Sequence, residues 1–96
     1  MKVFAIASFA PGITTDEVRK HLPTEVPATL KLYLEGKIEQ FWFREASGPI
    51  FLMNVESVEQ AKATLGALPL VAQDLMRYEF LPVTTLSPLG LLIQGK

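Results

Sequence analysis

Two carboxylates are candidate bases in this 96-residue chain, Glu25 and Glu39. A base that lifts a proton from beside a carbonyl works best when desolvation raises its pKa toward neutrality. Glu25 lies between Pro23 and Pro27, where a break in a helix would aim it inward. The alternative is a solvated helix carboxylate. Glu39 lies on a predicted strand between apolar neighbours, and its alternative is an exposed edge-strand charge or an ion pair with Arg77 or Lys37. Gln40, Trp42 and Arg44 share one face of that strand in strict alternation. Arg44 has the fork to bind a substrate carboxylate, or is a plain surface residue beside a turn. Trp42 walls a ligand site or fills a core. Tyr33 and Tyr78 donate to a ligand oxygen or sit at an interface. His21, the single histidine, is a further binding candidate or a solvent-facing residue. Arg77 and Glu79 alternate on one strand face and read as a cross-strand or intersubunit ion pair.

Much other chemistry is excluded. Zero cysteines remove disulfides, thiol catalysis and zinc knuckles, and fit a reducing, cytoplasmic setting. Nine basic against ten acidic residues leave no basic stripe for nucleic acid. No apolar run approaches the ~20 residues of a membrane span. Residues 1–12 read as a first strand and turn rather than a signal peptide. No phosphate loop, nucleophile elbow or dinucleotide fingerprint occurs. His21 has no converging carboxylates at metal-ligand spacing, so neither metal nor cofactor is expected.

These residues need elements to position them. Lys2 to Phe9 reads as a strand apolar on both faces. Thr14 and Glu17 form a capping box, with Ile13 and Val18 as the staple. Pro23 and Pro27 predict a break between His21 and Pro27, with Thr24 recapping a stretch that stops at Gly36. Lys37–Arg44 and Ile50–Val55 read as a hairpin around Ala46–Pro49. Ser57 caps a second helix with Gln60 as its partner; Val58, Ala61, Leu65 and Leu68 form its buried stripe, and Leu68-Pro69-Leu70 ends it. Asp74 to Val83 is the fourth strand. The order βαββαβ predicts one ferredoxin-like α+β domain over 1–96, an antiparallel sheet with two helices on one face and a small apolar pocket between. Folding at this size buries only about 64% of the chain's surface. With 49% hydrophobic residues, the bare sheet face needs cover. A second copy, with the apolar segment 84–96 packed on the neighbouring subunit, supplies it; the alternative is that the segment folds back on its own sheet.

The runs LYLEGKIEQFWF and NVESVEQAKATLGALPL, with the apolar C-terminal segment, resemble the muconolactone isomerases and their relatives. The likeness extends from about Thr14 to the C-terminus. It is carried by Glu35-Gly36, Trp42, Ser57-Val58-Glu59 and Leu68-Pro69-Leu70. It implies a dimeric α+β barrel, a homodimer or higher oligomer, and cofactor-independent proton-shift isomerisation of a small lactone or related carboxylate. Glu25 matches an acidic position of that family. Where the family carries a His and Arg residues on the second strand, this chain has Glu39 and Gln40, with Arg44 shifted along. Two other classes stay open: a non-catalytic oligomeric binding protein for a small apolar ligand, and a cofactor-free monooxygenase of the same barrel group.

Overall fold

The computed structural model describes residues 1–45 and 47–84. Its elements are β1 (Lys2–Phe9), α1 (Thr15–Leu34), β2 (Ile38–Arg44), β3 (Gly48–Asn54), α2 (Val58–Gly66), α3 (Pro69–Ala72) and β4 (Met76–Val83). The strands form one antiparallel sheet in the order β2-β3-β1-β4. This is the α+β arrangement expected from the sequence, consistent with a ferredoxin-like fold. Most of segment 84–96 lies outside the described residues. Among those described, no helix is long and apolar enough to cross a membrane.

Local chemistry sets the helix ends. The Thr14 side chain accepts from the Glu17 amide at 3.2 Å, and the Ser57 side chain accepts from the Gln60 amide at 3.1 Å. Helix α1 closes in a Schellman motif: Gly36 (φ 81°) donates to Tyr33 and Lys37 donates to the Leu32 carbonyl. Leu68-Pro69-Leu70 does not merely stop α2. Pro69 stands at the first position of α3, where its missing N–H costs nothing.

The expected break in the first helix is absent, and α1 runs unbroken through Pro23 and Pro27. The two prolines stand four residues apart, in one exposed row with Arg19 and Lys31. Each proline frees the carbonyl four residues before it, and those carbonyls lie on the water side. The opposite stripe, Val18, Leu22, Glu25, Thr29 and Leu32, faces the sheet side, so helical periodicity rather than a break directs Glu25 inward.

Strand β2 also differs from simple alternation. Its pairing with β3 shifts between Ile38 and Gln40, so a bulge inserts one residue. Ile38 therefore shares the helix-facing side with Phe41 and Phe43, opposite Met53, Phe51 and Pro49. That side also carries Val3, Ala5 and Ala7 of β1, and Val3, Ala5, Phe51 and Met53 pack with Ala61, Leu65 and Leu68 in the main core cluster. A second, smaller cluster gathers Ala7, Leu70 and Met76. The other sheet face carries Phe4, Ile6, Ile50, Leu52 and Trp42, with no helix over it among the described residues. Trp42 packs there against Phe4, ring centroids 6.2 Å apart.

Two substitutions test this account. Pro23→Ala restores an amide donor on an exposed helix row, and is expected to stabilise the protein by about 1–3 kcal/mol. Gly48 has φ +88°, and a Cβ there would stand 3.3 Å from that of Ala7. Gly48→Ala is expected to destabilise by about 1–3 kcal/mol. Urea unfolding midpoints check both signs.

Candidate functional site

Between α1 and the β2 side of the sheet lies a cleft of about 480 Å³. Its inner wall is Phe9, Phe51, Leu70 and Met76, with Gly48 leaving space where a side chain would intrude. Its mouth is apolar and open to water: Leu22, Val26 and Leu30 from α1, Phe41 and Phe43 from β2. The bulge in β2 turns both phenylalanines toward the cleft, and Phe43 is 78% exposed. Such concave, mostly apolar sites with a few polar groups are the usual form of small-molecule pockets.

Among the described residues, the charged or hydroxyl-bearing side chains that line it are Glu25 and Thr29. Glu25 is only 6% exposed, the one buried charged or polar residue among those described. It sits on α1 between Val18, which packs on the smaller core cluster, and Ala28 and Leu32, which pack on the larger. Its Oε1 accepts from the Leu70 amide at 2.9 Å. Leu70 is the second residue of α3, whose N-cap position, Leu68, offers no side-chain acceptor. Glu25 thus supplies, from 45 residues away, the acceptor that a capping side chain provides elsewhere. Burial pushes its carboxyl above the ordinary value of 4.5; the Leu70 bond and the charge of His21, one helical turn back, pull the other way and are weaker. The Thr29 hydroxyl donates to the Glu25 backbone carbonyl at 2.9 Å.

Behind the cleft, the Tyr78 hydroxyl is buried with no hydrogen-bond partner among the described residues. Its ring stacks on Phe51, centroids 5.6 Å apart. Burial, and secondarily the negative charge of Glu25, hold the phenol protonated well beyond the ordinary tyrosine range. Tyr78 does not line the cleft.

The other candidates are dispersed. Glu39 lies outside the cleft and pairs with Lys2, not with Arg77 or Lys37; Lys37 pairs with Glu35. Arg44 donates to the backbone carbonyls of Ala7 (2.5 Å), Ser47 (3.1 Å) and Gly48 (3.3 Å), which occupies its fork and ties the hairpin to β1. Trp42 borders the cleft between its two phenylalanine neighbours, but its indole packs on the opposite sheet face. Tyr33 makes an edge contact with Phe41, 5.1 Å between centroids, and lies outside the cleft, as do Gln40 and His21. Of the sequence candidates, Glu25 alone presents a side chain to the cleft. Sequence reasoning passed over Thr29, Phe41 and Phe43. The stripe running from Val18 through Glu25 to Leu32 carried the signal for Thr29, whereas the two phenylalanines depend on the bulge.

The sequence matches no protein-family model, and comparison with curated proteins gives no match.

The raised carboxyl pKa has a stability consequence. The folded state holds its Glu25 proton to higher pH than the unfolded chain does. Stability from this group is therefore complete below about 4.5 and declines as pH rises through the folded-state value. Glu25→Gln removes the titration while retaining an oxygen for Leu70. Wild type is expected to lose stability relative to Glu25→Gln across that window, read as diverging Tm values; parallel profiles would refute the assignment. Glu25→Leu removes the acceptor as well, and is expected to cost about 1–3 kcal/mol for the unpaired Leu70 amide at low pH.

Proposed function

We propose that the chain is a muconolactone-isomerase-like protein that shifts a proton, without cofactor, on a small unsaturated lactone or related ring carbonyl. The carrying observation is the Glu25 carboxyl, buried and alone in charge among apolar cleft walls, with a raised pKa. Raising the pKa makes the carboxylate a stronger base near neutral pH. In this reading Glu25 takes the proton beside the carbonyl, becomes a neutral acid in an apolar setting that favours that form, and returns the proton at the conjugated carbon. One C–H bond breaks, another forms, and the C=C bond moves between them. The Leu70 amide fixes one carboxyl oxygen, leaving the other for the substrate. Thr29, by turning its hydroxyl from the Glu25 carbonyl, supplies the donor for the enolate oxygen.

The same reading includes a homodimer or higher oligomer closed sheet to sheet, as in dimeric α+β barrels. The uncovered face with Phe4, Ile50, Leu52 and Trp42 supports it, being apolar where water would otherwise lie. A cytoplasmic setting belongs to it as well. One observation favours a second reading. Phe9, Phe41, Phe43 and Phe51 give the cleft aromatic walls, which suits a cofactor-free monooxygenase acting on an electron-rich ring. A purely non-catalytic binding protein has less need of a buried ionisable group at the site.

Deuterium uptake into small butenolides and cyclic enones in D2O, followed by NMR, tests the proposal. Wild type is expected to accelerate uptake, Glu25→Gln to lose roughly 100-fold or more, and Glu39→Gln to retain it. No Glu25-dependent uptake on any such ring ends the isomerase reading. Oxygen consumption with an aromatic substrate would put the monooxygenase in its place.

A further inference from the structure

We propose that the cleft's substrate is electrically neutral: a flat, unsaturated ring carbonyl with no carboxylate of its own. This deepens the proton-shift reading and rests on it. The argument is a charge inventory. Among the described residues, no lysine, arginine or histidine lines the cleft, so an anionic substituent would find no counter-charge there. The nearest cations stand outside its lining: His21, one turn before Glu25 on α1, acts on that carboxyl through its charge but does not line the cleft. Arg44 directs its Nε and Nη2 to three backbone carbonyls of the hairpin and β1 and does not line the cleft. Lys2 pairs with Glu39 on the uncovered sheet face, and Lys37 pairs with Glu35.

A carboxylate in the cleft would also meet the Glu25 carboxylate in surroundings that screen charge poorly. Like charges so placed cannot both ionise without cost. A neutral ring avoids this. Its carbonyl oxygen needs one donor and its acidic C–H one base, and the cleft offers one hydroxyl and one carboxyl, Thr29 and Glu25. Phenylalanine walls present flat apolar faces to the remainder of the ring. The selection is by rejection as much as attraction: a buried uncompensated charge discriminates against the wrong substrate.

Isothermal titration calorimetry at pH 7.5 with a matched pair, coumarin and coumarin-3-carboxylate, tests this. Coumarin is expected to bind at least tenfold more tightly. Glu25→Gln is expected to narrow that gap at least threefold, by strengthening carboxylate binding more than coumarin binding. A wild-type titration over pH guards against a misfolded variant: carboxylate affinity should fall as pH rises through the Glu25 titration, while coumarin affinity changes less. Equal or tighter carboxylate binding, saturable binding of neither probe, or a gap insensitive to both Glu25→Gln and pH overturns the proposal. Its failure is separable from that of the isomerase reading. A neutral preference without Glu25-dependent deuterium uptake leaves the ligand class standing and ends the isomerase. Glu25-dependent uptake on a carboxylated lactone, with no neutral preference, does the reverse.

Discussion

The bond from the Leu70 amide to the Glu25 carboxyl ties together parts of the fold that the chain keeps 45 residues apart. A four-residue helix opening on Leu68-Pro69 has no acceptor of its own for its first free amide. A carboxylate on a helix face turned toward the sheet, 6% exposed, has little water to solvate it. Each group meets the need of the other, and α3 is thereby fastened to α1 at the seam of the two core clusters. The position of the cleft follows: Leu70 and Glu25 are both part of its wall, so the residue that secures the packing is also the one that gives the cleft its charge.

This double duty shapes the chemistry. A carboxyl with one oxygen held by a backbone amide has a fixed orientation, as a base needs. The same bond opposes the effect of burial by favouring the ionised form. The cleft therefore sets two influences against each other in one residue, desolvation raising its basicity and the amide limiting that rise. Among the described residues its walls add no further charge, and the Tyr78 hydroxyl behind Phe51 stays a protonated dipole.

What was legible in the sequence was local. The first strand, the Thr14 and Ser57 caps and the Gly36 stop depend on residues within a few positions of one another, and each stands where those residues imply. The βαββαβ order follows from the same signals. Features set by pairing or packing were not legible. A bulge exists only relative to the partner strand, and strict alternation without it puts Phe41 and Phe43 on the face opposite Ile38. The prolines read as breakers because the rule is local, whereas their common exposed row makes the lost bonds tolerable. Arg44 read as a free anchor because its shortest contact, with Ala7, spans 37 residues. Glu25 was identified as a candidate, but for a helix break that does not exist; its place in the stripe beginning at Val18 was the sounder reason.

The bulge has a consequence beyond facing two phenylalanines inward. Strand β2 is an edge of the sheet, and its run Phe41-Trp42-Phe43 is the sort of segment that recruits further strands and grows into fibres. The extra residue at Ile38–Gln40 twists that edge, and Lys37 and Glu39 place opposite charges beside it. An incoming strand would have to match an interrupted ladder and leave one of those charges against its own backbone. The irregularity that turns two phenylalanines toward the cleft therefore also interrupts the ladder that an added strand would have to match.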